Sequence, residues 1–161
     1  GGKNPFVKKL QMVFDEGLYD PANEPDIAYA HLFSYFRGEE WRTQKETQRL
    51  LDKYFTTKPN GIPGNDDTGT MSAWAIFNMI GFYPDCPGLP EYTLTTPVFN
   101  KVTIRLDPKW YKEKELVIES NRTQPGTLYI NKVLLNGKKF NQYRITHDEL
   151  VHSQRILFDL K

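Results

Sequence analysis

Cysteine is almost absent. Cys86 is the single one in 161 residues, so no disulfide and no cysteine-based zinc site can form within the chain. An extracytoplasmic setting stays open, because a sizeable domain needs no disulfide. An excess of charge is also missing: 21 basic against 20 acidic residues leave a net charge of +1. Lys8-Lys9 and Lys138-Lys139 are the densest basic pairs, and a solvated surface accounts for both. Nucleic-acid recognition needs a clustered basic face, so no nucleic-acid partner is expected. No apolar run approaches the roughly 20 residues that span a bilayer, so no membrane partner is expected. Gly1-Gly2-Lys3-Asn4-Pro5 holds no apolar stretch, so no signal peptide is visible, and the start reads as that of a fragment. There is no internal repeat.

What the chain does have is rings. Aromatics make up 14% and hydrophobic residues 39%, enough for a packed core; rings also stack on sugar faces. In the first half, Phe6, Val7, Leu10, Val13 and Phe14 follow one helix face, and Gly17 ends the pattern. A second apolar helix is expected from Asp26 to Gly38. A third spans Glu39 to Phe55, with Trp41, Leu50, Leu51, Tyr54 and Phe55 inward and Lys45, Glu46, Arg49 and Lys53 outward. A fourth, Thr70 to Gly81, is apolar nearly all round and therefore expected to be buried. Prolines 84, 87, 90 and 97 then break the helical pattern. Strand signals follow at 102–106, 116–119, 128–135, 138–145 and 155–160. Asn136-Gly137 marks a hairpin, and Thr146 to Leu150 a capped helical turn. Segregated helices and strands indicate an α+β fold. The expected divisions are a helical part over 1–83, a Pro/Gly-rich linker over 84–95 and an antiparallel β-domain over 96–161.

Chemistry concentrates in Gly61-Ile62-Pro63-Gly64-Asn65-Asp66-Asp67-Thr68-Gly69-Thr70. Oxygen-bearing side chains at 65, 66 and 67 crowd into a glycine-rich turn that opens an apolar helix. Such a cluster can act as a general base, bind a hard cation, or only cap the helix. A helix N-terminus favours an ionised carboxylate, which suits a base.

A second segment, Asn23-Glu24-Pro25-Asp26-Ile27, precedes Tyr35-Phe36-Arg37-Gly38 and Trp41-Arg42-Thr43-Gln44. Taken with Gly64-Asn65-Asp66-Asp67 and with Met71-Ser72-Ala73-Trp74 running into Gly81-Phe82-Tyr83-Pro84, the pattern resembles glycoside hydrolase family 92, the calcium-dependent inverting exo-α-mannosidases, mostly α-1,2-specific. The resemblance covers residues 4 to 160 and the C-terminal end of that architecture. It implies that the helices close an (α/α)6 toroid and that the remainder of the enzyme, N-terminal to this chain, is a partner. It also implies a mannose-containing glycan as substrate and a periplasmic or extracellular location.

Inverting hydrolysis needs an acid and a base about 6.5–9.5 Å apart. Adjacent aspartates cannot readily take both roles, so Asp66 and Asp67 share one side. By resemblance that side is the base, with Asp67 favoured and Asp66 and Asn65 orienting it, the water or the cation. The resemblance puts the acid upstream of residue 1, with Glu24 the alternative within the chain. It places Asn23, Glu24 and Trp41 at the sugar and Asn65, Thr43 and Gln44 at calcium. Ile27 and Ala28 stand where many family members carry histidines. Trp74 and His31 read as core residues; His147 and His152 read as surface. Asn121-Arg122-Thr123 has the pattern of a glycosylation acceptor. A different reading is a carbohydrate-binding or structural module after residue 96; a third is a purely structural calcium site. Exposed apolar helix faces would make the fragment self-associate.

Overall fold

Val7, Leu10 and Phe14 recur at the spacing of one helix face, and helix α1 (Lys3–Asp15) buries all three. The segment Glu24–Tyr35 is helical but 3₁₀ rather than α. A 3₁₀ helix stacks residues three apart, and its buried residues form two such rows, Ala30 with Phe33 and His31 with Ser34. Helix α2 (Glu40–Tyr54) buries Thr43, Gln44, Glu46, Thr47, Leu50 and Leu51. This reverses two expectations: Trp41 is 40% exposed, whereas Glu46 is fully buried. The Glu46 carboxylate accepts from Gln11 Nε2 at 2.9 Å and Arg49 Nε at 2.7 Å. A hydrophobic template misses an inner face whose polar groups are paired. Helix α3 (Thr70–Ile80) buries Met71, Trp74, Ala75 and Asn78 on one face, while Ile76 is 56% exposed, so it is not buried all round.

The structure, a computed structural model, describes residues 1–161. Two compact units result, Gly1–Ile76 and Phe77–Lys161, with the boundary inside α3. The expected linker at 84–95 contains strand β2 (Glu91–Leu94), which pairs with β1 (Phe82–Tyr83). The prolines there separate short strands instead of freeing a tether.

The second unit holds two sheets. One runs β1-β2-β7, with β7 at Arg144–Thr146. The other orders β3 (Lys101–Arg105), β4 (Glu115–Arg122), β8 (Arg155–Leu160), β5 (Ile130–Leu135) and β6 (Lys138–Phe140). Every pairing is antiparallel except β4 with β8, which is parallel, so the β part is mixed. The stretch 138–145, expected as one strand, divides between the two sheets as β6 and β7. Asn136 and Gly137 have φ of 48° and 80°, the left-handed pair that a two-residue hairpin requires. Helix α4 (His147–Val151) starts with a capping box of Thr146 and Glu149. Both sheets and α4 contribute to one apolar core, with Phe82 and Leu94, Ile118, Ile156 and Phe158, and Leu150.

Two polar groups stiffen this unit. Asp85, whose side chain is wholly buried, accepts from Thr93 Oγ1 at 2.7 Å and pairs with Arg144 Nη1 at 3.3 Å. His147 is half-buried and not a free surface group: Tyr92 Oη lies 2.9 Å from its Nδ1 and Tyr111 Oη 3.4 Å from its Nε2. Burial holds the Tyr92 phenol above its ordinary pKa. His152 is exposed, as expected.

Candidate active site

Two loops of the first unit meet to form an open recess of about 640 Å³, with Ala22 to Pro25 on one side and Asp67, Thr68 and Thr70 on the other. Gly64 lets them meet. A Cβ at Gly64 would lie 2.7 Å from the Cβ of Ala22, and its φ is +66°; only glycine meets both conditions without strain. Gly61 serves closeness alone, because a Cβ there would lie 2.0 Å from the Thr56 carbonyl oxygen. A second tie comes from α3: the Trp74 indole N–H donates to the Ile27 carbonyl at 2.9 Å, and its ring stacks on Phe55 with centroids 5.4 Å apart. His31 packs edge-on against Trp74 at 6.1 Å and is fully buried, so both are core residues as expected.

The turn into α3 is strained and bonded. Asp67 and Thr68 are consecutive left-handed residues, with φ of 48° and 60°. For a β-branched threonine this is a true outlier. Asp66 opposes the strain. Its carbonyl accepts from the backbone N–H groups of Gly69 and Met71, both at 3.1 Å. Its Oδ1 accepts from Ser72 N at 2.8 Å and Ser72 Oγ at 2.7 Å. The Asp67 carbonyl takes the Thr70 hydroxyl at 2.8 Å. The two aspartates are therefore unlike: Asp66 is committed to the turn, whereas Asp67 lines the recess together with Glu24. Neither the Asp67 nor the Glu24 carboxylate has a hydrogen bond or ion pair within the chain. Strained backbone carrying an uncommitted carboxylate is a pattern found at functional sites.

The other candidates fall in different places. Asn23 lines the recess, and its amide lies 3.3 Å from Asp26 Oδ1. Asn65 and Asp66 do not line it. Trp41 lies outside it with the Arg42 guanidinium 4.4 Å above its ring. Thr43 and Gln44 are buried in α2, and the Thr43 hydroxyl accepts from Ser34 at 2.9 Å. The oxygen donors of Asn23, Glu24, Asp67, Thr68 and Thr70 suit a hard cation such as calcium, which takes 6–8 oxygens. No three His, Cys, Asp or Glu side chains converge anywhere in the chain, so these residues fit calcium in kind but do not form a complete cage. Sequence reasoning missed Ala22, Thr68 and Ser72. A sequence offers no sign that Ala22 touches Gly64 or that Ser72 reaches Asp66.

The glycosyl hydrolase family 92 catalytic domain matches this chain over residues 1–161. The chain belongs to that family. A family GH92 α-mannosidase from Bacteroides thetaiotaomicron superposes with a TM-score of 0.90 at 31% identity, over 99% of this chain and 22% of that one. The family GH92 inverting mannosidase from Bacteroides thetaiotaomicron VPI-5482 gives 0.78 at 33% identity, over 94% and 20%. An "uncharacterized secreted glycosidase" of Arthroderma benhamiae is 29% identical over 92% of this chain and 19% of its own length. The chain thus spans about a fifth of the length of the family 92 relatives it matches. Helices in the first unit and sheets in the second are the family's α+β arrangement for this region.

Proposed function

We propose that this chain is part of an inverting exo-glycosidase that releases terminal α-linked mannose, with the α-1,2 linkage preferred, and that Asp67 is its general base. The observation that supports this reading is Asp67 itself, which lines one recess with Glu24 and sits on a strained turn. Asp67 takes a proton from the water as that water attacks the anomeric carbon. An acid on the opposite side protonates the glycosidic oxygen as its bond to that carbon breaks. Asp66 belongs to the base side and orients Asp67. Asn23 and Glu24 hold the sugar, with Trp41 near it. The acid comes from a part of the enzyme outside residues 1–161, so the isolated chain is inactive, and its helices belong to an (α/α)6 toroid completed by that part. Calcium bound at the recess would supply positive charge to orient sugar hydroxyls. Asn65, Thr43 and Gln44, expected as its ligands, do not line that recess, and Thr43 and Gln44 are buried in α2, so its ligands would be the recess residues themselves. Neighbours described as α-mannosidases and a relative described as secreted support a mannose-containing substrate and a periplasmic or extracellular location.

In the enzyme that carries this chain, Asp67→Asn keeps shape and loses basicity, so turnover of α-1,2-mannobiose should fall about 10²–10⁴-fold with little change in sugar affinity. Turnover within about tenfold of the parent removes Asp67 as base. Proton NMR of the earliest product should show β-mannose; α-mannose first would mean a covalent intermediate and carboxyls only about 5–5.5 Å apart. Chelation should abolish activity and calcium should restore it better than zinc, because the donors are oxygens; full activity after exhaustive chelation excludes a catalytic metal.

A further inference from the structure

Ser72 has no place in the recess, yet it makes both of the hydrogen bonds that reach the Asp66 carboxylate. Its backbone N–H and its hydroxyl converge on the same oxygen, Oδ1, at 2.8 and 2.7 Å. The two residues are six apart, and between them lie the turn that presents Asp67 and the first residues of α3. Asp66 also receives Gly69 N and Met71 N on its carbonyl. The resulting bracket has Asp66 at one end and the first turn of α3 at the other. Inside it, Asp67 and Thr68 sit in left-handed conformations that they would leave for more favourable ones if the bracket opened.

We infer that Ser72 is a positioning residue for the reaction, holding the Asp67 carboxylate in line with the recess through Asp66. The inference rests on the reading of Asp67 as the base. A hydroxyl suits this task because it is short and fixed to a helix, so it restrains Asp66 without bringing another charge to the base. A bond to an ionised acceptor is also stronger than one between neutral groups. Ser72 does not line the sugar-facing recess. Its loss should therefore act on the placement of the base and not on the binding of mannose.

The experiment compares Ser72→Ala, Ser72→Thr and Asp67→Asn in the full enzyme, with kcat and KM on α-1,2-mannobiose and thermal melting for each. Ser72→Ala should lower kcat by about 10- to 100-fold, the scale of a base displaced by a fraction of an ångström to an ångström. KM should stay within about twofold, as for a group absent from the ground-state contacts. Ser72→Thr keeps the hydroxyl and should recover most of the lost kcat at similar melting temperature. The inference is overturned if Ser72→Ala turns over at the parent rate. It is equally overturned if kcat and KM deteriorate together with melting temperature and threonine does not rescue, since that describes general loosening. If Asp67→Asn itself turns over normally, the reading of Asp67 fails. A loss in Asp67→Asn with none in Ser72→Ala defeats the Ser72 inference alone.

Discussion

A missing methyl group decides whether the site exists. Gly64 lies where a Cβ would meet the Cβ of Ala22 at 2.7 Å, well inside van der Waals contact. That approach brings the loop of Asn23 and Glu24 against the turn of Asp67 and Thr68. Without it, residues more than 40 positions apart would not line one recess. Trp74 reinforces the junction by donating to the Ile27 carbonyl three residues beyond Glu24. One end of the arrangement is therefore steric and the other hydrogen-bonded. Trp74 is itself buried, stacked on Phe55 and edge-on to the buried His31.

The turn itself trades strain against hydrogen bonds. Two consecutive non-glycine residues in the left-handed region cost about 1–3 kcal/mol each. Asp66 offsets this with four accepted hydrogen bonds, two of them on its carboxylate Oδ1; at this solvent-exposed turn each contributes about 1 kcal/mol net. The terms are comparable, so the turn persists without being relaxed. Because Asp66 and the Asp67 carbonyl already take the helix N–H groups, the Asp67 carboxylate is left for the recess. Division of labour between neighbouring aspartates thus follows from backbone geometry, not from residue type.

Much of this was legible in the residues, and the misses have physical causes. Periodicity located α1, α2 and α3, and Asn136-Gly137 located the hairpin, because these signals are local. The 3₁₀ form of Glu24–Tyr35 was not legible, since apolar residues three apart fit either helix. Strands β1 and β2 were hidden by length and by flanking prolines. The parallel β4–β8 pair depends on which strands meet, which no single strand encodes. At the site, Asp67, Glu24 and Asn23 were found from motif and are brought together. Thr43 and Gln44 share a motif with Trp41 but not its surroundings: they are buried in α2 while Trp41 is exposed. Ser72 and Ala22 were overlooked because a serine in a helix and an alanine in a loop carry no chemical signature until their contacts are seen.

The central claim, that the Gly64–Ala22 approach assembles the site, is tested most directly by pairing Gly64→Ala with Ala22→Gly in the full enzyme. Gly64→Ala should cost about 10- to 100-fold in kcat/KM through displacement of the two loops. Adding Ala22→Gly removes the methyl that the new Cβ would strike and should recover part of the loss, with the strain of φ +66° leaving the remainder. A Gly64→Ala enzyme that matches the parent, or a double variant no better than the single one, would contradict the account.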